Sequence, residues 1–216
     1  MSEDRVLRRL VGAGAVLAPA LHSLTDLLEV TNGGFSPGQL ALNYAAFVTM
    51  PFVIVGLYAV QRPRVGWAGL AGALAYGAAF VYFAGTTTYA LARGTPDYAT
   101  LLRELGGLYT AHGALMVAGG FLFGAAVLRA GVLPRWTGAA LMGGVAMNAA
   151  VAFLPVPPIV QTAGSALRNV ALVGAGLALL RSRAGSPRPA AERGAAADER
   201  AHRQSGERRS RPRARG

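Results

Sequence analysis

The chain has 216 residues, 53% of them hydrophobic and 14% charged, and its 21 basic and 10 acidic residues leave a formal net charge of +11. This composition excludes a wholly disordered chain, a collagen-like chain and a disulfide scaffold. With no cysteine, Cys-ligated zinc and thiolate catalysis are excluded as well.

A bilayer core takes about 20 mostly apolar residues per helix. Six stretches meet that need: 8–29, 39–61, 66–92, 107–129, 135–155 and 158–181. Leu, Val, Ala, Gly and Phe fill them on all sides, where a soluble amphipathic helix keeps a charged face. The first stretch follows Arg5, Arg8 and Arg9. A rival reading makes it a signal peptide, with residues 1–20 removed at Ala18-Pro19-Ala20. The apolar pattern runs on through Leu21, Leu24, Leu27, Leu28 and Val30, which favours a span. The loop 31–38 has no arginine. Pro51 in the second stretch, like Pro19 in the first, removes a backbone hydrogen bond and should kink its helix. Arg62 and Arg64 precede the third stretch, with Trp67 at its start. The connection from Arg93 to Leu105 reads as a short amphipathic surface helix, with Tyr98, Leu101 and Leu102 on its apolar face. Arg129 and Arg135 flank the turn into the fifth stretch, where Trp136 repeats the place of Trp67, and 155–158 again has no arginine.

Residues 1–183 therefore read as an all-α, six-helix transmembrane domain. Residues 184–216 have no large apolar side chain and read as a disordered, Arg-rich tail. Connections on one side carry 3, 2 and 2 arginines plus the basic tail, against 0, 2 and 0 on the other. The positive-inside rule then places both termini in the cytoplasm. Arg208, Arg209, Arg211, Arg213 and Arg215 suit anionic lipid headgroups. No aromatic is interleaved with them for base stacking, so no specific nucleic acid is expected. A homo-oligomer is compatible with the sequence.

Small residues at four-residue spacing, Ala73 with Gly77, Gly120 with Gly124 and Ala140 with Gly144, read as helix-packing positions. Trp67-Ala-Gly matches Trp136-Thr-Gly at an offset of 69, which also places Asn43 on His112 and suggests a parallel repeat of two hairpins.

Ionisable groups inside a bilayer are costly and face the bundle interior. The spans contain His22, Asp26 and Glu29; Asn43; Thr86, Thr87 and Thr88; Tyr109 and His112; Asn148; and Gln161, Arg168 and Asn169. All fall in the half of each span away from the cytoplasm. By the helical rise Arg168 lies deepest, about 15 Å in. His22, Asp26 and Glu29 share one helix face. These positions predict an outward-facing polar pocket of His22, Asp26, Asn43, His112, Asn148 and Arg168 for a small ligand, ion or proton, in a protein that is not an enzyme. Arg168 needs a partner at that depth, and Asp26 and His22 are the candidates.

The alternative is a membrane-embedded metal- or haem-binding enzyme or redox protein that uses His22 and His112. His22, Asp26 and His112 could supply three ligands to a divalent metal, although Arg168 would oppose a dication. His22 and His112 could hold one haem from facing helices.

The turn Leu128-Arg129-Ala130-Gly131-Val132-Leu133-Pro134-Arg135-Trp136-Thr137-Gly138 resembles that of a widespread group of uncharacterised six-span bacterial membrane proteins, many of them actinobacterial. The resemblance covers roughly 8–183 and implies placement in the bacterial inner membrane; it implies no activity.

Overall fold

The computed structural model describes residues 3–154 and 159–182. They form seven helices and no strand: α1 (Glu3–Asn32), α2 (Pro37–Ala59), α3 (Gly66–Arg93), α4 (Tyr98–Leu105), α5 (Gly107–Ala130), α6 (Arg135–Phe153) and α7 (Ile159–Arg181). Met1–Arg181 is one compact unit. The tail expected to be disordered, 184–216, lies outside the described residues, as does the connection 155–158.

Five of these helices, α1, α2, α3, α5 and α7, are long and apolar enough to cross a membrane. The expectation of six is met in part. The 19-residue α6 is not among the five, and the eight-residue α4 is the surface helix read between Arg93 and Leu105. α1 is continuous through Pro19, and Val11, Gly12, Ala15 and Ala18 are buried along its first half.

Local chemistry sets the ends. Ser36 caps α2, its hydroxyl accepting from the Gln39 N–H at 3.3 Å, with Pro37 in the first turn. Asp97 caps α4, its carboxylate accepting from the Thr100 N–H at 2.7 Å. That bond is the first cause holding the Asp97 carboxyl below its usual range. α5 stops at Gly131, whose φ of 59° is the left-handed conformation that glycine adopts without a Cβ clash. Leu133 then turns inward and Thr137 donates to the Pro134 carbonyl at 2.8 Å. The Arg-Ala-Gly-Val-Leu-Pro-Arg-Trp segment is thus a tight α5–α6 turn.

The six long helices close into a ring, each packed on its chain neighbour, with α7 returning to α1 and α4 standing outside. Glycines set the spacing. A Cβ on Gly72 would strike the backbone of Phe123, and one on Gly119 would strike the backbone of Tyr76. The two contacts are reciprocal and fix α3 antiparallel to α5. Gly124 faces Gly138 between α5 and α6, Gly144 faces Gly164 between α6 and α7, and Gly176 faces Gly12 between α7 and α1. Lipid tails are as apolar as the helices, so such close van der Waals approach is what holds a membrane bundle together. Met50, Ile54, Tyr76, Phe80, Phe123 and Val145 fill the centre.

Because neighbours alternate in direction, the ring has two unlike ends. The Arg62–Arg64 and Arg129–Arg135 connections share one end. α4 lies at the other. The element starts also follow the offset of 69: α3 at Gly66 and α6 at Arg135.

Gly72→Ala and Gly119→Ala should each cost about 1–3 kcal/mol by overpacking, read as a lower unfolding midpoint in detergent. Gly113→Ala, with open space around it, should cost nothing. Equal effects at all three positions would remove the spacing role.

Candidate functional site

Every polar residue singled out above falls at the α4 end, but the residues form neighbouring clusters rather than one pocket. The first joins α1, α2 and α7. His22 and Asp26, one turn apart on α1, approach to 3.5 Å between Nε2 and Oδ1. The other ring nitrogen of His22 meets the Asn169 side-chain amide, with Nδ2 at 3.1 Å, and the same Nδ2 donates to Ser23 Oγ at 2.9 Å. Thr25 donates to the His22 carbonyl at 2.8 Å and approaches Asn43 Oδ1 at 3.3 Å. Gln39 donates to the Thr25 carbonyl at 3.3 Å. His22, Thr25, Gln39 and Asn169 are buried. Asp26, with 23% of its side chain exposed, is where the cluster reaches the surface.

The second cluster centres on Arg168, which is 4% exposed. The expected pair with Asp26 does not form: no carboxylate lies within 4 Å of Arg168 among the described residues. Its Nη1 donates to Met116 Sδ at 3.0 Å and to the Tyr76 hydroxyl at 3.4 Å, and Nη2 donates to Ser165 Oγ at 3.0 Å. The reason is angular. Consecutive residues on a helix point about 100° apart. On α7 Asn169 takes the direction of α1, and Arg168 takes the direction of α3 and α5. Gly144 leaves room for the arginine stem, since a Cβ there would lie 2.5 Å from Arg168 Cγ.

His112 stands in a third, aromatic cluster. Its Nδ1 donates to the Leu108 carbonyl at 2.8 Å, which fixes Nε2 as an acceptor. Phe83 and Tyr109 meet the ring edge-on, at 4.8 and 4.6 Å between centroids, and Tyr82 stacks on it at 5.8 Å. Phe47 lies 4.8 Å from His22 and 5.6 Å from Phe83. Two phenylalanine rings therefore stand between His22 and His112. The shared haem site is not assembled, and no three His, Asp or Glu converge as metal ligands among the described residues. His22 and Asp26 therefore lie in one cluster and His112 in another. Asn148 stands apart too, its Oδ1 against Gly164.

Thr86, Thr87 and Thr88 bond to carbonyls of their own helix and contribute nothing to the site. Gln39, Ser165, Tyr76 and Met116 were not foreseen. Gln39 is the first residue of the second apolar stretch, and Tyr76 and Met116 look like ordinary core residues in the sequence.

α4 closes this end. Leu101 is buried with Leu40 and Ala90, while Leu102 turns outward. Tyr98 meets Tyr109 edge-on at 5.6 Å, which ties α4 to α5. Burial raises the Tyr98 phenol above its ordinary value, so it stays neutral at physiological pH. The Phe35 N–H donates to the Pro96 carbonyl at 2.8 Å, joining the two connections on this side.

No protein-family model, curated protein or solved structure matches the chain.

Asn169→Leu should orphan the buried His22 ring and lower stability by about 1–3 kcal/mol, measured as a midpoint shift in detergent. An unchanged midpoint would show that Asn169 does not support His22.

Proposed function

We propose that this is a six-span integral protein of the bacterial inner membrane, with both termini cytoplasmic, α6 as the remaining crossing and a basic tail that meets anionic headgroups. The antiparallel packing of α6 between α5 and α7 supports that crossing, and the arginine distribution supports the orientation. In this reading the protein is not an enzyme. The polar end binds a small ligand, ion or proton, with His22 and Asp26 as the protonating pair and Arg168 as the anchor.

The observation that carries the binding role is where unpartnered polar atoms lie. Among the described residues five buried side-chain atoms have no hydrogen-bond partner: Gln39 Oε1, Gln61 Oε1, His112 Nε2, Asn148 Oδ1 and Arg168 Nε. Four of the five are at the α4 end. Such atoms are rare in folded proteins because each costs about 1–3 kcal/mol. Their concentration at one end, beside a buried cation, suits a site whose partners arrive with a ligand. The opposite half of the bundle contains an apolar cleft, lined by residues such as Leu57, Phe123, Leu141 and Leu172.

A binding role and a purely structural role diverge on substitution. Replacing an unpartnered acceptor by an apolar side chain of similar shape should leave stability equal or higher. Asn148→Leu should therefore keep or raise the unfolding midpoint. If it lowers the midpoint by about 2 kcal/mol or more, this group supports the fold and the binding role falls.

The crossing number has its own test, made simple by a chain without cysteine. Asn32→Cys should react with an impermeant maleimide on intact cells, and Ser182→Cys only after permeabilisation. Labelling of both from one side would leave α6 out of the bilayer.

A further inference from the structure

We propose that Arg168 is the recognition group for a carboxylate, held ready by Tyr76, Met116 and Ser165. The inference rests on the reading of the α4 end as a binding site and adds the chemical class of its ligand.

A guanidinium has five N–H donors in a planar fork. Arg168 places two of them on Met116 and Tyr76 and one on Ser165. Two donors remain, and the Nε–H is one of them. A side chain more than nine-tenths buried thus keeps two donors and a full charge with no anion beside it among the described residues. Two donors on one fork are the complement that a carboxylate takes in a bidentate pair. One positive charge also balances one negative charge. A phosphate dianion would leave excess charge in an apolar interior, which is costly. A halide cannot occupy two parallel donors as a planar group does.

The holders are suited to presenting the fork. Tyr76 is fully buried and packed edge-on against Phe80 at 5.2 Å. Met116 and Ser165 are buried as well. Gly144 and Gly164 let α6 press on the stem. A guanidinium fixed on three sides loses little freedom when a ligand binds. All three present acceptors are neutral, so a carboxylate would be the first charged partner and would form stronger bonds than any of them.

The test uses the full-length protein in detergent. Sodium benzoate and sodium acetate should raise the unfolding midpoint, and labelled benzoate should bind once per chain. Benzamide, of equal shape and no charge, should do neither. Laurate compared with acetate separates a fatty acid of the bilayer from a soluble acid; a response to either supports the assignment. Arg168→Lys should weaken binding about tenfold or more, because an ammonium offers no fork. If that variant does not fold, the benzoate and benzamide arms on the wild type still decide. A response to chloride or phosphate alone would overturn the carboxylate and leave the binding site in place. No response to any anion, together with a destabilised Asn148→Leu, would overturn both.

Discussion

Close approach of helix backbones is the constraint on which the rest depends. In lipid there is no hydrophobic gain from bringing apolar helices together, so a bundle is held by contact itself. Here glycine lies at each junction from α3 round to α1, and at Gly72, Gly119, Gly124 and Gly144 the opposing atoms include backbone. Backbone cannot move aside as a side chain can. The spacing of six helices is therefore set by where the glycines fall. That spacing decides which side chains reach the centre.

The centre is divided by length. Toward the Arg62–Arg64 end it is filled by Leu57, Phe123, Val127, Leu141 and Leu172, with no charge among them. Toward α4 the same ring must take in a histidine–aspartate pair, a second histidine and an arginine. It does so by giving each a separate wall of neighbours. His22 and Asp26 are served by α7 through Asn169, Arg168 by α3 and α5, and His112 by aromatic rings. This separation explains why the charges are not neutralised against one another. A mutual Arg168–Asp26 pair would have neutralised both; with the arginine turned to the opposite wall, its partners are the neutral Tyr76, Met116 and Ser165.

Much of this was legible in the sequence, and the limit was angular. Helix boundaries followed from apolar runs punctuated by Gly, Pro and Arg, and the gathering of polar groups at one end followed from their depth along each span. Gly77, Gly124 and Gly144 were recognised as packing positions because they form regular small-residue pairs. Gly72 and Gly119 were not, since their partner is the backbone of a bulky residue on another helix. Residue depth comes from counting along a chain. Partner choice depends on rotation about the helix axis, and the adjacent Arg168 and Asn169 show how one position changes the neighbour entirely. Pairing Arg168 with Asp26 was sound in depth and wrong in direction.

The two ends also differ in how they can open. At the glycine junctions any separation loses backbone contact along whole helices. At the α4 end closure rests on fewer things: the seat of Leu101, the ring contact of Tyr98 with Tyr109, and the Phe35–Pro96 bond between two connections. That hydrogen bond is worth only about 0.5–1.5 kcal/mol net. α4 is tied to α5 by a single glycine, Gly106, with φ of 49°, a conformation that glycine reaches without the Cβ penalty. Local opening free energies in proteins follow such differences in contact. Local opening is therefore cheapest at α4, while the six-helix ring stays shut. The end that buries the polar side chains and the least secured end are the same end.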